Sequence, residues 1–249
     1  IYTLSLHDAL PICLTEDGTM SMMNVTNSYG SLPTRNNREL QFDGIDTVNL
    51  QAMKAPRKSD GKTILKTNKA CFACTIGCGR VAQMDPDHFS LSERKNFPTV
   101  SGGLEYESGY SLGPMVGVDD IEAATYANYV CNEQGMDPIS FGATLSAAME
   151  LFETGAITQK ETGGINLKFG SAEALVKMVE LTGRGEGFGE ELGMGSTRLC
   201  EKYGHPEFSM AVKGQEIPGY DGRAMQGMGL AYATSNRGAC HLRASTYGD

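Results

Sequence analysis

The sequence has no tryptophan, only four histidines, and no run of apolar residues near the roughly 18 that a bilayer-crossing helix requires. It also lacks clustered cations: 21 lysines and arginines face 30 aspartates and glutamates, for a formal net charge of −9. Phosphate binding depends on grouped Lys and Arg, so a nucleic-acid partner is excluded, and small molecules or proteins are the expected partners. A membrane partner is excluded on the same reading of the apolar runs. The opening residues carry neither a basic stretch nor a small-residue cleavage site, which argues against a secretory signal. The seven cysteines are an odd number and are not spread as pairs, unlike a secreted disulfide framework. A reducing compartment, the cytoplasm, is therefore the expected location.

What is present is a globular composition, 40% hydrophobic and 20% charged over 249 residues, enough for one or two domains. Helical grammar dominates after residue 118. Asp119, Asp120 and Glu122 precede an apolar set at helical spacing, and Gly135 stands where a C-terminal cap belongs. Asp137 and Pro138 open a second helix that Gly155 closes. Ser171 opens a third, for which Gly183 is the expected C-cap. "EELGMGSTRLCEKYG" is a weaker fourth, loosened by Gly193 and Gly195. Residues 13 to 70 read as irregular and polar, with "NSYGSLPTRNNRE" and "SDGKT" as turns. There is no internal repeat and no βαβ alternation, so the expected fold class is mainly α.

Three cysteines, Cys71, Cys74 and Cys78, stand within eight residues in "CFACTIGCGR". Two thiolates on a tight turn grip zinc or iron equally well. A zinc site usually adds a second CxxC or a histidine pair, and neither occurs here, whereas a 4Fe-4S cluster commonly takes three close cysteines and a distant fourth. Iron-sulfur, zinc and a structural thiol group all stay open, with iron-sulfur favoured. Cys13, Cys131, Cys200 and Cys240 are the internal candidates for a fourth ligand; Cys131 and Cys200 sit in helical patterns and read as small buried hydrophobes.

"CFACTIGCGR", "GLEYES", "NYVCNEQGMDPISFG", "AMELFETGAIT" and "YDGRAMQGMGLAYATSNRGACHLRA" resemble, in this order, the aldehyde ferredoxin oxidoreductases, tungsten or molybdenum pterin enzymes. The resemblance runs from about Asn24 to the last residue. It implies that Cys71, Cys74 and Cys78 ligate a 4Fe-4S cluster whose fourth thiolate lies in a C-terminal motif absent here. It also implies a tungsten (or molybdenum) bis-pterin, a small aldehyde as substrate, ferredoxin as electron acceptor, and a family in which homodimers are frequent. The implied fold is the helical middle and C-terminal domains of that family, with the β-rich N-terminal pterin domain missing.

On this basis residues 1–12, His7 included, are set aside as an adapter-derived scar, because "LSLHDALPI" looks like one frame of a sequencing adapter. Residues 13–70 are assigned as an irregular linker from the end of the N-terminal domain, 71–212 as a helical domain carrying the cysteine triplet, and 213–249 as the truncated start of the C-terminal domain. Such a fragment is expected to be inactive alone. The cysteines by themselves support a rival, a non-catalytic iron-sulfur electron-transfer or zinc-stabilised module.

The resemblance places His241, in "NRGACHLRA" beside Arg237 and Arg243, near the metal as a proton-handling group, a role suited to a side chain titrating near neutrality. Without it, a histidine satisfied by backbone groups in a core loop is the favoured account. Glu105 and Glu107 are the candidates for a general base, with Glu105 preferred over Glu107. Asp137 matches a pterin contact of the family, although the sequence has Ser140 and Phe141 where the family often reads Gly-Leu, and an ordinary helix cap explains Asp137 as well. Arg237 joins Asp137 as a cofactor-binding candidate. Met225 and Met228 are the methionines expected near the site. "GRGEGFGEELGMG" fails as a nucleotide loop, since Glu190 stands where a third glycine is required.

Overall fold

The computed structural model describes residues 12–92 and 100–243. The segment set aside as a scar lies, except for Ile12, outside the described residues. Ten helices are used here as reference elements: α1 (Met22–Tyr29), α2 (Ile45–Val48), α3 (Leu50–Lys54), α4 (Tyr106–Leu112), α5 (Ile121–Gln134), α6 (Pro138–Glu153), α7 (Ala172–Arg184), α8 (Phe188–Leu192), α9 (Ser196–Lys202) and α10 (Gln226–Thr234). An antiparallel sheet of β1 (Leu65–Lys69), β2 (Gly79–Gln83) and β3 (Val100–Gly102) precedes α4, and a short hairpin of β4 (Ala211–Val212) and β5 (Gln215–Glu216) follows α9. The architecture is mainly α, as the helical grammar implied. Among the described residues no helix is long and apolar enough to cross a membrane.

The capping residues set the helix starts. Asp120 accepts from the amides of Glu122 and Ala123 at the head of α5, Asp137 from Ile139 at α6, and Ser171 from Ala174 at α7. Gly135 ends α5 in the left-handed region at φ 69°, a conformation that costs glycine nothing. The C-cap of α7 is Gly185 rather than Gly183. Gly183 is helical, and its missing Cβ makes room for Gln134 at the end of α5. The weak fourth helix divides into α8 and α9 on either side of Gly193–Gly195.

Residues 13–70 are not an irregular linker in structure. They form α1, α2, α3 and β1, and Met20, Met23, Leu32, Phe42, Val48, Leu50 and Met53 enter the same buried core as the later helices. Polar composition hid this because the apolar residues are spaced singly between turns, so no periodicity signals the face they share. The 212/213 boundary falls inside the β4–β5 hairpin, whose strands pair Ala211 with Glu216 and Val212 with Gln215.

Helix α6 passes closely over α4. A Cβ at Gly142 would run into the Ser111 carbonyl and lie 2.9 Å from the Ser111 Cβ, so the crossing depends on a glycine there. Ser146 donates to the Met115 carbonyl at 2.8 Å and fixes the register of the same pair of segments. This contact sets where the first turn of α4, with Glu105 and Glu107, faces.

Candidate active site and cysteine loop

The chain returns to α4 after 110 residues. Tyr106 and Tyr110 donate their hydroxyls to the carbonyls of Gly219 and Ile217, the latter at 2.7 Å, and so pin the segment 217–219 along α4. Gly219 in turn donates its amide to Glu107 Oε2 at 3.0 Å. Glu107 Oε1 is shut off from solvent and has no hydrogen-bond partner. His241 faces it, with Nε2 3.9 Å away.

Burial pushes the Glu107 carboxyl up to about 8, and the negative charge of Asp137 adds to the effect against the Gly219 hydrogen bond. His241 is shifted the other way: burial and Arg237 depress it while Asp137 opposes them, burial being the largest influence. Near neutrality the pair therefore consists of a protonated carboxyl and a neutral imidazole, two groups that both resist charge. The His241 ring packs against Tyr220 at 6.2 Å between centroids, and Tyr220 against Tyr106 at 5.1 Å, so aromatic walls supply the low-polarity surroundings.

A cavity of about 190 Å³ opens beside His241, lined by Asp137, Ser140, Glu216, Arg237 and Cys240 among others. Asp137 and Arg237 are exposed, and Cys240 is buried in the wall. Glu216 spends both oxygens within the wall, on Ser140 and Ser196. Asp137 thus serves as helix cap and cavity-lining charge at once. Met225 and Met228 pack into the core and do not line this cavity.

The structure brings Glu107, not Glu105, to His241. Glu105 sits at the N-terminal boundary of α4, where its amide takes the Ser108 hydroxyl as acceptor at 3.0 Å and its carboxylate accepts from the Thr19 hydroxyl. Burial raises its proton affinity, opposed by Thr19 and by the charge of Arg80. Residues two apart at a helix start face different ways, and here Glu107 turns to His241 while Glu105 turns to Thr19 and the charge of Arg80.

That loop connects β1 to β2. Cys71 and Cys74 are exposed and Cys78 half-buried. The amides of Gly77 and Ile76 point at the Cys74 sulfur and hold its thiol below the ordinary range. Ala73 and Gly77 adopt left-handed conformations, φ 56° and 63°, which curl the loop back on itself. Three accessible thiols, one already receiving two N–H donors, fit a soft thiophilic metal group. The loop is open: among the described residues no three His, Cys, Asp or Glu side chains are gathered closely enough to hold a metal ion. Cys131 and Cys200 are buried, with thiols pushed up to about 12 by desolvation, as small hydrophobes should be.

Residues 6–248 match the family model described as aldehyde ferredoxin oxidoreductase, domains 2 and 3. The chain belongs to the aldehyde ferredoxin oxidoreductase family. The match begins within the stretch set aside as a scar. Tungsten-containing aldehyde ferredoxin oxidoreductases of Pyrococcus furiosus and Pyrococcus horikoshii are 40% and 41% identical to it over 233 residues. Those alignments cover 92% of this chain and 35% of each relative, so the chain spans about a third of their length. The aliphatic sulfonate oxidoreductase WOR-like subunit of Pyrococcus furiosus is 26% identical over 88% of the chain and 34% of that protein. In fold, the chain is similar to the BamBC active-site complex of benzoyl coenzyme A reductase, with a TM-score of 0.61 at 14% identity over 87% of this chain and 31% of that one. An oxidoreductase family is thus the setting for the cavity and the loop.

One residue that sequence reasoning passed over is Arg80. It ends the cysteine motif, is almost wholly buried, and contacts the loop's own carbonyls. The signal available was its place two residues after Cys78, where a charged side chain on a half-buried strand is unusual.

Proposed function

We propose that the protein carrying this chain oxidises an aldehyde to a carboxylic acid with water, at a tungsten or molybdenum pterin centre, and passes electrons through a 4Fe-4S cluster to ferredoxin. The observation that carries the reading is the Glu107–His241 pair beside the cavity, with the enclosed Glu107 Oε1 lacking any partner. Metal and pterin, when bound, supply Lewis-acid activation and the two-electron redox chemistry. Arg237 and Asp137 at the cavity would hold polar groups of the cofactor, one as a donor and one as an acceptor. Cys71, Cys74 and Cys78 would hold the cluster.

The chain's own residues handle protons. Oxidising an aldehyde with water releases protons as two electrons leave, so a group with affinity near neutrality must accept them. Glu107 holds a proton near neutrality and, in the fraction deprotonated as pH approaches 8, accepts one at Oε1, its high affinity coming from burial. His241, neutral at Nε2, relays it or donates a hydrogen bond to a developing oxyanion. Tyr106, Tyr110 and Tyr220 keep bulk water from the pair and hold Gly219 against Glu107. Glu105 is assigned here to the loop side, not to the substrate.

The test is anaerobic purification of the protein at its natural length, with metal analysis and electron paramagnetic resonance. Tungsten or molybdenum with about four irons per chain and a reducible cluster signal is the expected result. Zinc alone would overturn the proposal and leave the cysteine loop a structural clip.

A further inference from the structure

Arg80 is 3% exposed, yet it forms no ion pair among the described residues. Its Nη1 donates to the carbonyls of Cys78 and Gly79, both at 3.0 Å, and its Nη2 to Leu14 at 3.2 Å. Its Nε is buried with no acceptor. A buried guanidinium whose hydrogen bonds all go to neutral carbonyls carries a charge that no ion pair balances, an arrangement that costs several kcal/mol unless an anion lies nearby, in order-of-magnitude terms. The chain makes room for it on two sides. A Cβ at Gly18 would lie 2.6 Å from Nη2, and one at Gly103 would lie 2.8 Å from the Arg80 Cβ. The nearby carboxylate, Glu105, feels the charge through space but is engaged by Thr19.

The loop is also polarised about this charge. The carbonyls of Cys78 and Gly79 turn toward the guanidinium, while the amides of Ile76 and Gly77 turn toward the Cys74 sulfur. The negative ends of its peptides thus face Arg80 and the positive ends face the thiols.

We infer that Arg80 is a positioning residue that balances the charge of the anionic iron-sulfur group held by Cys71, Cys74 and Cys78 and raises its reduction potential. The inference rests on the function proposed above. Reduction adds one negative charge to the cluster, and a fixed cation in a medium of low polarity stabilises that added charge more than the oxidised state. Glu105, which interacts with the same guanidinium, tempers the effect.

The experiment is a spectroelectrochemical titration of the cluster in the protein at its natural length, comparing wild type with Arg80→Met, Arg80→Lys and Glu105→Gln. At a fixed poise Arg80→Met is expected to lower the reduced-to-oxidised ratio about tenfold, equivalent to about 59 mV for one electron. Arg80→Lys keeps the charge and should stay within about threefold of wild type, since charge rather than the fork sets this effect. Glu105→Gln removes a negative charge and should move the potential upward. If Arg80→Met fails to fold, Glu105→Gln decides, and an unshifted or lowered potential there overturns the inference. A wild-type protein without any reducible cluster sinks the inference together with the proposed function; a normal cluster whose potential Arg80→Met leaves unmoved sinks the inference alone.

Discussion

His241 Nε2 stands 3.9 Å from Glu107 Oε1, too far for a hydrogen bond and close enough for each to feel the other's charge. The two groups come from opposite ends of the described fold's second half, and both are pushed toward neutrality by burial. Glu107 Oε1 is shut off from solvent, so a proton passing between the two must cross this gap by a small movement of either side chain.

The first consequence is a pH dependence of stability. The folded-state affinity of Glu107 is raised from 4.5 to about 8, so the folded protein binds the extra proton and stability falls as pH rises between these values. Each pH unit in that window costs about 1.4 kcal/mol. Glu107→Gln should flatten this fall, and urea unfolding of the variant and wild type at pH 5 and pH 8 would measure it. Parallel profiles would show that the carboxyl is not enclosed in solution.

Activity should separate the two glutamates. Glu107→Gln in the natural-length protein is expected to lower kcat by about 10² to 10⁴-fold, with loss of the pH limb that reports the pair. Glu105→Gln should keep the same pH profile. A larger loss of kcat at Glu105 than at Glu107 would return the base role to Glu105.

Asp137→Asn keeps a good helix cap and removes a charge, so the helix should lose under about 0.5 kcal/mol. Because Asp137 raises the proton affinity of Glu107, the variant should bring that affinity down toward the ordinary range, though not to it, since burial is the larger cause. NMR titration of the Glu107 carboxyl carbon reads the shift directly. An unchanged titration would remove Asp137 from the electrostatics of the site.

Gly142→Ala tests the crossing that aims α4. Alanine ordinarily favours a helix by about 1 kcal/mol over glycine. Here its methyl meets the Ser111 backbone, so a net destabilisation of about 1 to 3 kcal/mol is expected. Thermal unfolding would register it as a lower Tm, and a raised Tm would mean that the two helices separate at little cost.

Where local chemistry alone decides a feature, the sequence was enough. Asp120, Asp137 and Ser171 cap helices because a short polar side chain before an apolar period has few better uses, and Gly135 ends α5 because only glycine takes φ 69° freely. The same local logic erred at Gly183. The true stop, Gly185, takes the left-handed conformation at φ 63°, while Gly183 stays helical with Gln134 packed against it. Residues 13–70 erred for a related reason: Met20, Met23 and Met53 are buried by partners far along the chain, not by a pattern of their own.

The sequence by itself determined helices α5, α6 and α7, the cysteine loop's donor chemistry and the order of motifs that marks the family, all of which depend on neighbours a few residues apart. Tertiary structure alone decided that Glu107 rather than Glu105 meets His241, and that Arg80 is buried against the carbonyls of the cysteine loop with its Nε lacking an acceptor. Both outcomes follow from desolvation, and how far a charge is removed from water depends on segments that fold onto it from tens to more than a hundred residues away.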